Sequence, residues 1–259
     1  MMQDKDLHIR IDAVRYPGSR VVLRDVDVTL PAGSFTAVIG RNGSGKSTLL
    51  SCAAGLLSFS GTVTYGGIRL DTLSCAARAR LIAMTQQRLR APHITVSELL
   101  AYGRQPYLGM LRRPDASDRA AIADAASFAE LAPLYDRYLD TLSGGELRRA
   151  YLGMTAAQDT PVLLFDEPTA NLDMDYEEAF LEKLSALQRT RGKTAVVVLH
   201  NLSAALTYAD RILLIDGGTV RFAGTTEALC TSGLLREVFG AQVQHIGGRI
   251  AVLPCGGGY

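Results

Sequence analysis

The chain has 259 residues, and its 27 basic side chains nearly balance its 26 acidic ones, for a net charge of +1. That length can bury a sizeable core, as one large domain or two small ones. The near-neutral balance offers no whole-molecule attraction for nucleic acid or anionic lipid, so we expect no nucleic-acid partner.

The sequence also lacks the usual marks of secretion or membrane insertion. Its first residues, "MMQDKDLHIR", contain acids and no apolar h-region, so they predict no signal peptide. No apolar run approaches the roughly 20 residues that a membrane span needs. The cysteines show neither C-x-x-C pairing nor metal-like spacing, which is typical of small buried hydrophobes in a reducing compartment. We therefore expect a cytosolic chain that only a partner could hold at a membrane.

The predicted elements begin with strands. Residues 7–38 alternate between apolar and polar side chains, which indicates short strands, and a helix over about residues 45–56 follows a glycine-rich loop. The later runs "PVLLFD" and "TAVVVLH" are continuously apolar, as in parallel strands buried on both faces. Between these runs lies an apolar helical face that ends at Gly192, so a strand–helix–strand core is predicted.

The middle of the chain has a different pattern. No β-like run occurs from about residue 92 to 158, and alanine-rich segments predict helices, the first capped by Asp115 or Ser117. The absence of internal repeats indicates one copy of the core. We expect a single domain over 1–259, with the α/β core at about 1–91 and 159–259 and a helical subdomain at about 92–158.

The stretch "GRNGSGKST" completes the pattern G-x-x-x-x-G-K-[ST]. A polyphosphate must meet several backbone N–H groups at once, which requires a tight loop without Cβ atoms and favours the N-terminus of a helix. Lys46 would reach the β- and γ-phosphates, and the Ser47 hydroxyl would bind Mg²⁺. We therefore predict ATP and Mg²⁺ as ligands. The residues predicted to hold the nucleotide here are Gly40, Asn42, Gly43, Ser44, Gly45, Lys46, Ser47 and Thr48.

A pair of carboxylates ends the later apolar run "PVLLFDE". Asp166 is placed to hold Mg²⁺, and Glu167, pointing elsewhere, to accept a proton from an attacking water. A positioned general base contributes about 10²–10⁴-fold in rate. An Asp-Glu pair alone indicates no more than a surface turn, and it is the lysine loop that favours the catalytic interpretation.

The stretch "LSGGE" carries a second anion-binding pattern. Ser143 and Glu146 form S-x-x-E, a capping box that by itself only starts a helix. Gly144 and Gly145 would expose the N–H groups of that helix end, which suits an anion. One chain thus carries two phosphate-binding helix ends, and one nucleotide could be held between two copies of the chain.

These motifs, in this order, resemble the nucleotide-binding subunit of ATP-binding cassette (ABC) transporters. The resemblance implies an α/β P-loop NTPase (RecA-like) core with an N-terminal antiparallel β subdomain and an inserted α-helical subdomain. It also implies that Tyr16 stacks on adenine and that Asp173 lies in the D-loop. His200 would be the switch histidine near the γ-phosphate. Gln86, preferred over Gln87, would contact Mg²⁺ and water.

The segments "ITVSELLAYGRQPYLG" and "SGLLREVFG" resemble importer ATPases for ferric siderophores, haem and cobalamin. That resemblance implies a homodimer at the cytoplasmic face of the membrane, a multi-span permease subunit and an extracytoplasmic substrate-binding protein. The sequence departs from the family in Glu146, where glutamine is more usual. Because the capping box turns Glu146 back toward Ser143, we expect Glu146→Gln to change activity only modestly.

Other interpretations remain open at this point. A soluble ABC ATPase, for example in iron–sulfur cluster assembly, or a cassette of another ABC transporter would carry the same motifs. A P-loop kinase would share the lysine loop but gives no role to "LSGGE".

Overall fold

The structure is a computed structural model that describes residues 5–16, 21–108, 114–170, 174–246 and 249–255. In this part of the chain no helix combines the length and the hydropathy needed to cross a membrane.

The strands and helices follow the chain in this order. The strands are β1 (Leu7–Arg15), β2 (Val21–Leu30), β3 (Phe35–Ile39), β4 (Ser60–Tyr65), β5 (Ile68–Arg69), β6 (Ile82–Thr85), β7 (Val162–Asp166), β8 (Thr194–Val198), β9 (Arg211–Asp216), β10 (Thr219–Thr225), β11 (Ala241–Ile246) and β12 (Arg249–Pro254). The helices are α1 (Lys46–Ala53), α2 (Cys75–Ala79), α3 (Val96–Tyr102), α4 (Ala116–Phe128), α5 (Gly144–Gln158), α6 (Met174–Arg191), α7 (Leu202–Tyr208), α8 (Thr226–Thr231) and α9 (Leu234–Phe239).

The chain divides into two compact units. The first combines Met1–Asp71 with Thr194–Tyr259, and the second is Thr72–Lys193. The predicted extent of the helical subdomain, about residues 92–158, stays a prediction.

The first unit contains an antiparallel sheet in the order β2-β1-β4-β5. Apolar side chains of β1 and β2 alternate inward, as the sequence predicts, and Ile9 pairs with both Val28 and Val63. The same unit contains the strands β10, β9, β3 and β8, of which β3 pairs in parallel with both β8 and β9. Every residue of β8 is buried, which confirms the prediction from its continuous apolar run. Every residue of β3 is buried as well, although the sequence predicted β3 as one of the alternating strands.

The register of β3 and β8 places the C-terminal ends of these two strands side by side. Val38 pairs with Val198, and the Leu199 amide donates to the Val38 carbonyl at 3.2 Å. Because parallel strands end at the same edge of a sheet, the loop after β3 and the residues after β8 leave from one edge. That edge therefore carries both the glycine-rich loop and His200.

The second unit combines helices with a pair of parallel strands. Helices α3, α4 and α5 bury a common apolar cluster that includes Leu100, Leu131 and Leu139. Strand β6 pairs in parallel with β7, and Thr85 lies opposite Phe165. The glutamines after β6 therefore lie at the same end of these strands as Asp166, the last residue of β7, and Glu167, which follows it.

Most local predictions are confirmed and a few elements were not foreseen. Asp115 caps α4, accepting hydrogen bonds from the Ser117 and Asp118 amides, and β9 and β10 form the hairpin predicted around residues 217–218. Strand β6 and the C-terminal hairpin of β11 and β12 were not predicted. Of the cysteines, Cys52 is buried but Cys75 is exposed, so the expectation of uniformly buried thiols is wrong.

Candidate nucleotide site

The glycine-rich loop has a backbone that side chains would obstruct. Gly40 adopts φ 153° and Gly45 φ 107°. A Cβ on Gly40 would lie 2.0 Å from the Ile215 carbonyl oxygen, and one on Gly45 would lie 2.5 Å from a methyl of Leu23. Glycine is therefore required at both positions, as the predicted phosphate loop demands.

Lys46 is folded into this loop. Its side chain is 5% exposed, and Nζ donates to the carbonyls of Gly40 at 2.9 Å and Arg41 at 3.1 Å. A buried ammonium costs free energy unless it is hydrogen-bonded, and these carbonyls supply bonds. The loop thus holds a fixed positive charge at the N-terminus of α1, which suits an anion.

The same loop contains a buried hydroxyl without a partner. In the described part of the chain, Ser44 Oγ is buried and makes no hydrogen bond. An unsatisfied buried hydroxyl is costly, and a phosphate oxygen would satisfy it. This observation fits a polyphosphate in the loop.

Tyr16 and His200 lie in the same unit as the loop. The Tyr16 hydroxyl lies 3.3 Å from Thr48 Oγ1, on α1, and the ring is partly exposed. His200 is exposed and precedes α7, whose N-cap Asn201 accepts from the Ala204 amide. The adenine-stacking role of Tyr16 and the switch role of His200 stay predictions.

The second unit carries the carboxylates. Asp166 ends β7 and is 7% exposed, while Glu167 is half-buried with φ 49°. This left-handed backbone, uncommon for a residue with a side chain, turns the chain sharply between the two carboxylates. The Asp166 carboxylate is a hard oxygen donor of the kind that Mg²⁺ prefers, and so is the Ser47 hydroxyl in the first unit, so the chemistry of each fits the ion by itself. Their roles as Mg²⁺ ligands stay predictions.

The structure distinguishes between the two glutamines that follow β6. Gln87 Nε2 donates to Glu167 Oε2. Gln86 is exposed and lines a groove of about 200 Å³ together with Arg90 and Tyr151. The contact favours Gln87 as the partner of the proposed base, and the predicted role of Gln86 stays a prediction.

The stretch "LSGGE" (residues 142–146), which we call the signature stretch, forms the predicted capping box at the start of α5. Ser143 Oγ accepts from the Glu146 amide at 3.3 Å, and Glu146 Oε2 accepts from the Ser143 amide at 2.7 Å. The hydrogen bonds from Ser143, with the nearby charge of Arg137, lower the pKa of Glu146. Arg137 Nη1 also donates to Glu146 Oε1 at 3.1 Å, so both carboxylate oxygens have partners within the chain.

The two signature glycines have different surroundings. Gly144 is exposed, and a Cβ there would meet nothing within 4 Å. A Cβ on Gly145 would lie 3.3 Å from the ring of Tyr176. Gly144 therefore leaves its helix end open, whereas Gly145 allows α6 to approach. The predicted D-loop residue Asp173 lies outside the described residues.

The fold and the lysine loop define a P-loop nucleotide-binding protein. The family model "ABC transporter" matches residues 23–170. The chain therefore belongs to the ABC transporter family, and its α/β fold with an antiparallel β subdomain and a helical insert is that of an ABC cassette.

Two relatives and one solved structure illustrate the similarity. The achromobactin transport ATP-binding protein CbrD of Dickeya dadantii (strain 3937) is 38% identical over 223 residues, which cover 85% of this chain and 83% of CbrD. The hemin import ATP-binding protein HmuV of Nocardia farcinica (strain IFM 10152) is 40% identical over 228 residues, covering 85% and 76%. The dimeric bacterial ABC transporter cassette MJ0796 superposes with a TM-score of 0.74 at 25% identity, covering 85% of this chain and 98% of that one.

Proposed function

We propose that the chain is the ATP-hydrolysing subunit of an ABC importer for a ferric siderophore, haem or cobalamin-type cargo. The observation that carries the proposal is the buried Lys46 inside a loop that requires glycine at positions 40 and 45. The names of CbrD and HmuV, which refer to achromobactin transport and hemin import, support the importer class.

The residues of the loop act on the triphosphate by position and charge. Lys46 neutralises charge on the β- and γ-phosphates, and Ser44 Oγ, which has no hydrogen-bond partner among the described residues, donates to a phosphate oxygen. Ser47 and Asp166 would hold Mg²⁺, which when bound neutralises further phosphate charge.

Glu167 accepts the proton of the attacking water. Gln87 holds one oxygen of that carboxylate, so the side chain has a fixed orientation before water arrives. His200, from the edge that also carries the phosphate loop, would orient the γ-phosphate. Because phosphoryl transfer depends mainly on positioning, these contacts are expected to affect turnover more than nucleotide affinity.

The working form would be a homodimer bound to a permease. Ser143, Gly144 and Gly145 of one copy would close on the ATP held by Lys46 of the other, and the dimeric state of MJ0796 supports this arrangement. The permease, supplied with cargo by an extracytoplasmic binding protein, would hold the pair at the cytoplasmic face of the membrane.

The central test is Glu167→Gln. We expect it to bind ATP with Mg²⁺ at near wild-type affinity, to dimerise with ATP in light scattering, and to lose about 10²-fold or more in turnover. Glu182→Gln, at an exposed position on α6, is the matched control and should hydrolyse ATP normally. Full turnover in Glu167→Gln would remove the proposed base. ATPase stimulation by a candidate permease with loaded binding protein would then test the transport role.

A further inference from the structure

A half-buried arginine on α5 donates two hydrogen bonds to the loop that follows Glu167. Arg148 Nη1 donates to the Pro168 carbonyl at 2.7 Å, and Nη2 donates to the Ala170 carbonyl at 2.5 Å. Both carbonyls belong to the loop that begins at the proposed base. A guanidinium presents its donors in a fixed fork, so one side chain restrains two points of this loop.

The loop itself contains backbone that is costly to maintain. Glu167 is in the left-handed region at φ 49°, which a residue with a Cβ adopts only where its surroundings enforce it. Local bonds supply part of that restraint: the Ala170 amide donates to the Glu167 carbonyl at 3.2 Å, and Thr169 Oγ1 donates to Glu177 at 2.9 Å. The bonds from Arg148 come from farther away in the sequence and fix the loop against α5.

Burying this guanidinium is unfavourable by itself. Desolvation lowers the pKa of Arg148, since the surroundings disfavour its charge. The side chain also lines a small cavity of about 30 Å³ with Arg149 and Lys183, which are of the same charge. The bonds to the carbonyls offset this cost. Their loss would leave the charged guanidinium without these acceptors and the two loop carbonyls without this donor.

We propose that Arg148 is a positioning residue for ATP hydrolysis, which holds the 168–170 loop so that Glu167 faces the attacking water. The proposal rests on the proposed role of Glu167 as proton acceptor. The two bonds also connect α5, which begins at the signature stretch, to the loop that follows the proposed general base Glu167 of the same chain. Arg148 acts through the loop, because both of its bonds are to loop carbonyls.

The test compares Arg148→Met and Arg148→Lys with the wild type in the full-length dimer. Methionine keeps the apolar stem and removes both donors, so kcat should fall by about tenfold or more while KM and the Kd for ATP change by less than about twofold. Lysine can donate to one of the two carbonyls, so the kcat of Arg148→Lys should lie between those of the wild type and Arg148→Met. Hydrogen exchange in a peptide over residues 165–170 should be faster in Arg148→Met.

Arg80→Met is the matched control. Arg80 lies in the same unit, and its Nε donates to the Pro106 carbonyl at 2.8 Å, so the change also removes an arginine–carbonyl bond. We expect unchanged kcat and unchanged exchange over residues 165–170. An equal loss of kcat in Arg80→Met would assign the effect to general stability and overturn the proposal.

The outcomes separate this proposal from the proposed function. If Glu167→Gln stops turnover while Arg148→Met keeps wild-type kcat, the positioning role is wrong and the ATPase assignment stands. If Glu167→Gln hydrolyses ATP normally, Glu167 is not the general base, and the positioning role of Arg148, which rests on it, is wrong as well. Should Arg148→Met not fold, wild-type kcat in Arg148→Lys would overturn the proposal, because lysine cannot hold both carbonyls.

Discussion

Glu146→Gln tests how the unusual signature residue is accommodated. Glutamine can keep one oxygen on the Ser143 amide, so the capping box survives, but its NH₂ group would then face the Arg137 guanidinium. The change removes a partly exposed ion pair, in which the side chains of Arg137 and Glu146 are 43% and 25% exposed. Pairs of this kind contribute about 0.2–1 kcal/mol, which in a domain of this size is a shift in Tm of at most about 4 °C.

The effect on activity should be correspondingly small. Since both oxygens of Glu146 have partners within the chain, we expect kcat/KM for ATP to change by less than about tenfold, or about 1.4 kcal/mol. The stability difference from wild type should shrink at high salt, because screening weakens exposed pairs. A larger change in kcat/KM, with the fold intact by circular dichroism, would show that the carboxylate faces the nucleotide.

The same residue gives a pH dependence with a defined sign. Hydrogen bonds from Ser143 hold the pKa of folded Glu146 below its unfolded value of 4.5. Its contribution to stability is therefore fully present above that value and is lost as the pH falls through the lower folded pKa. Urea unfolding below pH 4.5 should show this loss in the wild type and a smaller loss in Glu146→Gln.

Two further predictions use the described geometry. Gln87→Leu should lower kcat more than Gln86→Leu in steady-state ATPase assays, since only Gln87 bonds to the proposed base, and the reverse order would restore Gln86 to that role. Burial raises the pKa of the Cys52 thiol to about 12, whereas Cys75 is exposed, so maleimide at neutral pH should label Cys75 quickly and Cys52 only on unfolding. Equal labelling rates at these two thiols, followed by mass spectrometry, would contradict the burial argument.

Features that depend on local sequence were predictable. The continuous apolar runs identified β7 and β8, and the S-x-x-E spacing identified the Ser143 capping box, because each pattern has its cause within a few residues. Strand β6 was missed since it has only 4 residues, too few to establish a period. The C-terminal hairpin was not predicted, although β11 largely alternates in polarity and β12 contains a short apolar run.

Features that depend on tertiary contacts were not predictable. Adjacent glutamines after a strand are equivalent in sequence, and the register of β6 against β7 decides which one meets Glu167. Arg148 gave no signal at all, since an arginine on a helix is usually solvated. Its role emerges only from the carbonyls of the 168–170 loop, which the fold brings to it.

Helix α5 links these features because its side chains bond to the segment that follows β7 and to the segment around the end of β6. Near its start, Arg148 holds the loop after Glu167. Further along, Tyr151 Oη donates to the Arg90 carbonyl at 2.8 Å, and Thr155 Oγ1 lies 3.0 Å from Thr85 Oγ1, just before the two glutamines. A helix is stiff over this distance, with a rise of about 1.5 Å per residue, so its signature end cannot shift alone. A displacement of that end would therefore be transmitted both to the loop after Glu167, through Arg148, and to the segment that carries Gln87, which bonds to Glu167.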